Sequence, residues 1–157
     1  MQDYLRDTNH VNAIFRNDEN VWNKIRTLPA ERKWILSNIT LGEIVAGQKM
    51  TVTSDEAECE RLLDYLRRRF TQLPPASDLA EKYGNIIGRL AQNDPKKPKM
   101  SIDAWLTSIG VQGNDVWLVA EAWSHRLTVA TSDKMEKIKS VLEEEILNKE
   151  IRFDDWR

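Results

Sequence analysis

Four acidic residues, Asp7, Glu43, Asp115 and Asp133, share a place in the sequence pattern. Each stands at or just inside the start of a helical segment, and Asp7, Glu43 and Asp133 follow a plausible strand directly. A carboxylate in such a place has two kinds of work open to it. It can cap the helix: Asp7 shaping an Asx-turn, Glu43 completing a capping box with Thr40, Asp115 following an Asn114 cap, Asp133 capping the last long helix. Or it can serve chemistry. In a parallel sheet the strand-to-helix loops all leave at the carboxyl edge, where ligands bind near the topological switch point, so four such acids would meet in one crevice. Carboxylates brought together raise one another's pKa unless a cation neutralises them, and an all-oxygen set suits a hard divalent ion, Mg2+ or Mn2+. With no His or Cys ligand set beside them, the reaction that fits such an ion is in-line attack of water on a phosphodiester.

These acids need a scaffold that alternates strand and helix, and the sequence supplies one. Gln2 to Arg6 reads as a short strand, Asp7-Thr8-Asn9 as a turn and cap, and Val11, Ile14 and Phe15 as the inner side of a helix. Val21, Trp22, Ile25 and Leu28 continue as a second helix closed by Pro29. Trp34 to Ile39 is apolar and β-branched, a buried strand, with Thr40 opening the next helix. Residues 53 to 73 read as one long amphipathic helix, with Thr53 and Glu56 as its capping box and Leu62, Leu63, Leu66 and Phe70 inward, stopped by Pro74-Pro75. A helix from Ala76 to Ala91, a Pro/Lys loop from Asn93 to Lys99, and a short helix from Ser101 to Ile109 follow. The apolar run Val116 to Trp123 predicts a helix buried against a sheet. Leu127 to Thr131 is the next strand, a charged helix runs to Asn148, and Ile151 to Phe153 closes the chain. The alternation predicts a single α/β domain over residues 1–157, with a parallel, doubly wound sheet and helices on both faces.

Composition bounds the rest. A chain of 157 residues, 41% hydrophobic and 31% charged, is neither disordered nor fibrous. It has one cysteine, Cys59, and no Cys/His ligand spacing, which sets aside zinc and disulfide scaffolds and points to a reducing, cytoplasmic setting. No apolar run approaches the roughly 20 residues of a membrane span. The net charge of −2 makes no global case for nucleic acid. Local basic groups, Arg67-Arg68-Arg69 and Lys96-Lys97-Lys99, read as solvated faces.

The segments Tyr4-Leu5-Arg6-Asp7-Thr8-Asn9, Ile39-Thr40-Leu41-Gly42-Glu43-Ile44, Gly113-Asn114-Asp115-Val116-Trp117-Leu118-Val119-Ala120-Glu121-Ala122 and Leu127-Thr128-Val129-Ala130-Thr131-Ser132-Asp133 resemble, in that order, the motifs of the PIN-domain nucleases. More specifically they resemble the VapC-type toxins of bacterial toxin–antitoxin pairs, and Ile151 to Trp156 is similar to that family's closing strand and its Trp. The resemblance covers the whole chain. It implies a Mg2+- or Mn2+-dependent endoribonuclease, with Asp7, Glu43, Asp115 and Asp133 as the metal-binding acids and Thr8, Asn9 and Asn114 as polar helpers. It also implies RNA as substrate, a cognate antitoxin as restraining partner, and a homodimer. Four features depart from the pattern: Arg6 in place of an apolar residue before the first Asp, the bulk of Trp117, the long loop-and-helix region after Glu43, and a longer insert around Met100 to Gly110.

Other residues carry less. His10, close to Asp7, could carry a proton or make an outer-sphere contact, but in the first helical turn it is expected to face solvent, and His125 to end the buried helix as a C-cap. Trp34, Trp117 and Trp123 fit core positions, while Trp105 in the insert is a candidate partner contact. Two other classes compete with the enzyme: a degenerate PIN domain that binds RNA or protein without cutting, and a phosphoacceptor domain, which needs a second acid beside Asp7 where Thr8 stands.

Overall fold

The computed structural model describes residues 3–29, 33–50, 56–94 and 100–156. In chain order the elements are β1 (Tyr4–Arg6), α1 (Thr8–Phe15), α2 (Glu19–Thr27), β2 (Trp34–Leu36), α3 (Asn38–Met50), α4 (Glu56–Arg69), β3 (Thr71–Gln72), α5 (Leu79–Asn93), α6 (Ile102–Ser108), α7 (Gly113–Ser124), β4 (Thr128–Ala130), α8 (Glu136–Val141), α9 (Glu143–Leu147) and β5 (Arg152–Asp154). The chain divides into two compact units. Unit 1 takes the described residues of Met1–Pro74, Thr128–Ser132 and Phe153–Arg157; unit 2 takes Pro75–Leu127 and Asp133–Arg152. Thr53, half of the expected box with Glu56, and the run Lys96-Lys97-Lys99 lie outside the described residues.

Unit 1 is built on the sheet, whose order is β3-β2-β1-β4-β5. The pairs β1–β2, β1–β4 and β2–β3 are parallel. The chain therefore winds outward from β1 through β2 to β3 and returns to the other side of β1 with β4, so β1 and β4 flank the switch point of a doubly wound sheet. Alternation along the short strands puts Tyr4, Arg6, Trp34, Leu36 and Ala130 on one face. Against that face pack Val11 and Ile14 of α1, Val21 of α2, Ile44 of α3, Leu66 of α4, Phe70 and Trp156. The β5 edge is tied by Tyr4, whose hydroxyl donates to Asp154 Oδ2 at 3.2 Å, and by Lys24, 3.3 Å from Asp154 Oδ1.

Unit 2 is helical. Its centre is α7, where the apolar run predicted from Val116 to Trp123 is buried apart from the half-buried Trp117. Trp117 stacks on Tyr83 of α5 with ring centres 3.8 Å apart and planes 13° from parallel. Trp123 donates its indole N–H to Glu150 at 3.0 Å and lies 3.9 Å from the Lys82 ammonium. Arg89 of α5 forms a two-point pair with Glu145 of α9, at 2.8 and 2.7 Å.

Several sequence expectations change here. The second strand stops at Leu36 instead of Ile39, because Ser37 caps a helix that begins at Asn38: its Oγ accepts the Ile39 N–H at 3.0 Å. The long helix ends at Arg69, and Thr71–Gln72 forms an edge strand. The charged helix is two short helices broken at Leu142. Trp105 is buried, its indole N–H donating to Asp94 at 3.1 Å, so it is a packing residue and no partner contact. Among the described residues no helix is long and apolar enough to cross a membrane.

Candidate active site

The end of β1 sets the first acid. At Asp7 the backbone is still extended (φ −76°, ψ 170°), so its N–H reaches the Ala130 carbonyl of β4 at 3.3 Å before the chain turns into α1. Asp7 is the N-cap of α1: Oδ1 accepts the His10 backbone N–H at 2.7 Å and also faces His10 Nδ1 at 2.9 Å, which donates in the tautomer this acceptor selects. Oδ2 accepts the Thr131 hydroxyl at 2.7 Å. Capping and site chemistry are thus joint properties of one side chain. One oxygen closes the helix, the other is fixed from β4, and the group is only 5% exposed.

His10 overturns its sequence expectation. It is 2% exposed, because a residue three beyond the N-cap lies over the first turn, and here that side faces the sheet. Its ring stands edge-on to Trp156 at 5.5 Å. His10 and Thr131 thus join the candidate site: the sequence offers His10 only as the lesser of two readings, and does not single out Thr131. The signal for His10 was its spacing from a capping Asp; for Thr131 it was only its place at the end of the strand beside β1.

Glu43 lies on α3, which starts at Asn38, so Thr40 is inside the first turn and the expected Thr40–Glu43 capping box does not form. Thr40 is buried and its hydroxyl donates to the Arg6 carbonyl at 3.2 Å, fastening α3 to the end of β1. One turn on, Glu43 accepts the Thr8 hydroxyl. Thr8 follows Asp7 directly, so this contact brings the first two acids to the same end of the unit 1 sheet. Asn9 is exposed.

Arg6, the departure from the family pattern, is 1% exposed. Its guanidinium lies between two indoles, 4.7 Å from the Trp34 ring centre and 4.3 Å from that of Trp156, while Nε and Nη1 find no hydrogen-bond partner among the described residues. Burial without a counter-charge pulls its pKa down to about 10.

In unit 2, Asp115 sits in the first turn of α7. The N-cap is Gln112, so the exposed Asn114 is not a cap. Asp133 does not cap α8 either: that helix starts behind Met135, whose φ of 46° is left-handed, leaving Asp133 exposed in the preceding turn. Asp115 and Asp133 line one recess of about 330 Å3 with Gly110, Gln112, Lys134 and Lys137. Lys137 donates to the Ile109 carbonyl at its edge.

The donor chemistry fits a hard divalent cation: carboxylate oxygens with hydroxyl neighbours at Asp7 and Glu43 in unit 1, and carboxylate oxygens at Asp115 and Asp133 in unit 2. Among the described residues, no three or more His, Cys, Asp or Glu side chains stand together as a ready ligand set.

The family model described as PIN domain matches residues 4–141. Among solved structures the chain is similar to VapBC2 from Rickettsia felis bound to a DNA fragment from its promoter, at 17% identity and a TM-score of 0.69, with 98% of each chain covered. It is similar to DNA-bound VapBC from Salmonella typhimurium at 20% identity and a TM-score of 0.69 over 100% of each chain. VapBC-1 from nontypeable Haemophilus influenzae matches at 17% identity and a TM-score of 0.66, over 98% of this chain and 97% of that one. No curated protein matches in sequence.

Proposed function

The chain belongs to the PIN domain family, and from that premise we propose that it is a Mg2+- or Mn2+-dependent endoribonuclease acting as the toxin of a VapBC-type toxin–antitoxin pair. The observation that carries the reading is Asp7: a buried carboxylate at the switch point of the sheet, oriented through both oxygens by His10 and Thr131. A structural cap needs one oxygen bonded. Fixing the second from a neighbouring strand is what a group that must hold a set direction requires.

Asp7 and Glu43 in unit 1 and, taken separately, Asp115 and Asp133 in unit 2 are the carboxylates assigned to metal binding in this reading. When bound, a divalent ion lowers the pKa of a water and offsets charge on the leaving oxygen. The chain's own part is orientation. His10 and Thr131 hold Asp7, and Thr8 donates to Glu43. Thr8, Asn9 and Asn114 are the polar helpers of the same reading.

Its partners follow from the same premise: RNA cut in a single-stranded stretch, where bases are exposed to a protein surface; an antitoxin that blocks the acids, an arginine being the side chain that pairs two-point with a carboxylate; and a second copy of the chain. The test is end-mapping of fragments from a structured RNA with and without EDTA. Direct attack of water at phosphorus leaves a 5′-phosphate, and EDTA abolishes it. Cleavage that survives EDTA, or 2′,3′-cyclic ends, means a metal-free mechanism and refutes the proposal. Binding of RNA with no cleavage at any metal concentration means a PIN domain that does not cut.

A further inference from the structure

We propose that a recess in unit 1, beside Asp7, is a subsite for a single unpaired nucleobase bearing an exocyclic amino group. The proposal rests on the ribonuclease reading and names a part of the substrate that reading leaves open. The recess has a volume of about 150 Å3 and is lined by Asn9, His10, Ala13, Asp18, Asn20, Val21, Ser132 and Trp156. Its floor and its rim differ in kind. His10, Val21 and Trp156 are buried, two of them flat rings; Asn9, Asp18 and Asn20 at the rim are exposed and polar.

A floor of aromatic and aliphatic side chains under a hydrogen-bonding rim is a form in which proteins take unstacked bases, which offer an apolar ring and a polar edge. The size suits one ring system and excludes a helix. The charge argues against a phosphate: among the described residues no Lys or Arg lines the recess, and Asp18 does. The Asp18 carboxylate also sets the preference. Its Oδ1 is committed to the α2 N-terminus, accepting from Asn20 and Val21 at 3.0 and 3.1 Å. Oδ2 remains as an acceptor at the rim, and a carboxylate oxygen accepts from the amino groups of cytosine, adenine or guanine, whereas uracil offers it only the ring N3–H, set between two carbonyl oxygens that repel it. The recess communicates with the candidate active site through one residue. His10 is part of its floor and holds Asp7 through two contacts, so the base lodged here belongs to the nucleotides flanking the bond that is cut.

The test reads binding without catalysis. Full-length 15N-labelled protein in EDTA is titrated with CMP, AMP, GMP and UMP, following the indole N–H of Trp156, which has no acceptor among the described residues and is assigned by its loss in Trp156→Phe. The amino-bearing nucleotides should move this resonance saturably, and UMP should bind about tenfold more weakly, the worth of one hydrogen bond to a charged acceptor. Ala13→Met fills the recess and should abolish the shift. Asp18→Asn keeps the helix cap, since Asn caps as well as Asp, and should bring UMP level with the others. No shift with any nucleotide, a shift that persists in Ala13→Met, or unchanged selectivity in Asp18→Asn each overturns the subsite. A protein that cleaves RNA yet fails these titrations loses the subsite and keeps the nuclease reading; one that passes them without cleaving loses the nuclease reading alone.

Discussion

Asp7 in unit 1 and Glu145 in unit 2 are both buried carboxylates, 5% and 7% exposed, with hydrogen bonds to both oxygens. They differ in what holds them. Glu145 is gripped at two points by the Arg89 guanidinium, so its charge is neutralised where it stands and its pKa is held below the ordinary carboxylate value, first by that hydrogen bond. Asp7 is held by an amide, an imidazole and a hydroxyl from two elements, which fix its direction without a guanidinium's two-point grip. Burial alone therefore does not separate the two acids; the kind of donor that holds each one does.

Three substitutions test that contrast and a fourth its margins. The largest effect is expected from Asp7→Asn, which keeps the cap but removes the charge: cleavage of a test RNA should fall by about three orders of magnitude or more, with the melting temperature little changed. Loss of folding instead of activity would make Asp7 the structural residue of the pair. Next is Thr131→Val, which is close in shape and deletes only the hydroxyl on Oδ2. Outer partners of metal-binding groups are worth about 10- to 100-fold, so cleavage should drop by that factor and metal titration should show weaker binding. An unchanged rate would mean the second oxygen needs no guide.

The third is a stability measurement. Arg6→Met removes the cation–π contacts, worth about 0.5–2 kcal/mol, together with two buried unpaired N–H groups that cost about 1–3 kcal/mol each. Urea unfolding should show a gain of about 1 kcal/mol, and a loss would show that the two indoles more than repay the buried charge. The smallest effect is Glu145→Gln, read as a pH dependence. A carboxyl with a lowered folded pKa contributes stability that is present above its ordinary value of 4.5 and lost as pH falls through the lower folded value. The stability gap between wild type and Glu145→Gln should be open at pH 7 and close below pH 4.5. A gap that stays constant would remove the contrast with Asp7.

What the sequence carried well was local. The cap at Asp7, the first helix, the apolar helix α7 and the strands around Leu5 and Val129 follow from patterns a few residues long, and the parallel order follows from their alternation. Its misses were set by non-local contacts. Whether the residue three beyond Asp7 faces water or the sheet depends on where Trp156 comes to rest, so His10 was misjudged. Ser37 outcompeted Thr40 as a cap because the Thr40 hydroxyl is taken by the Arg6 carbonyl of another element. Left-handed Met135 has no turn residue to announce it, so Asp133 looked like a cap.

The placement of β4 bears on how the protein is made. Unit 1 is completed by Thr128–Ser132 and Phe153–Arg157, which follow the whole first stretch of unit 2 in the chain. β1 therefore lacks one of its two neighbours, and Asp7 lacks the Thr131 hydroxyl, until residues far downstream have been synthesised. A half-made chain carries the acid but not its orientation, and sequence-distant pairing of this kind is slow to form. For a protein read as a ribonuclease working among ribosomes and messages, the order of synthesis alone delays assembly of the Asp7 site until the polypeptide has moved well past it.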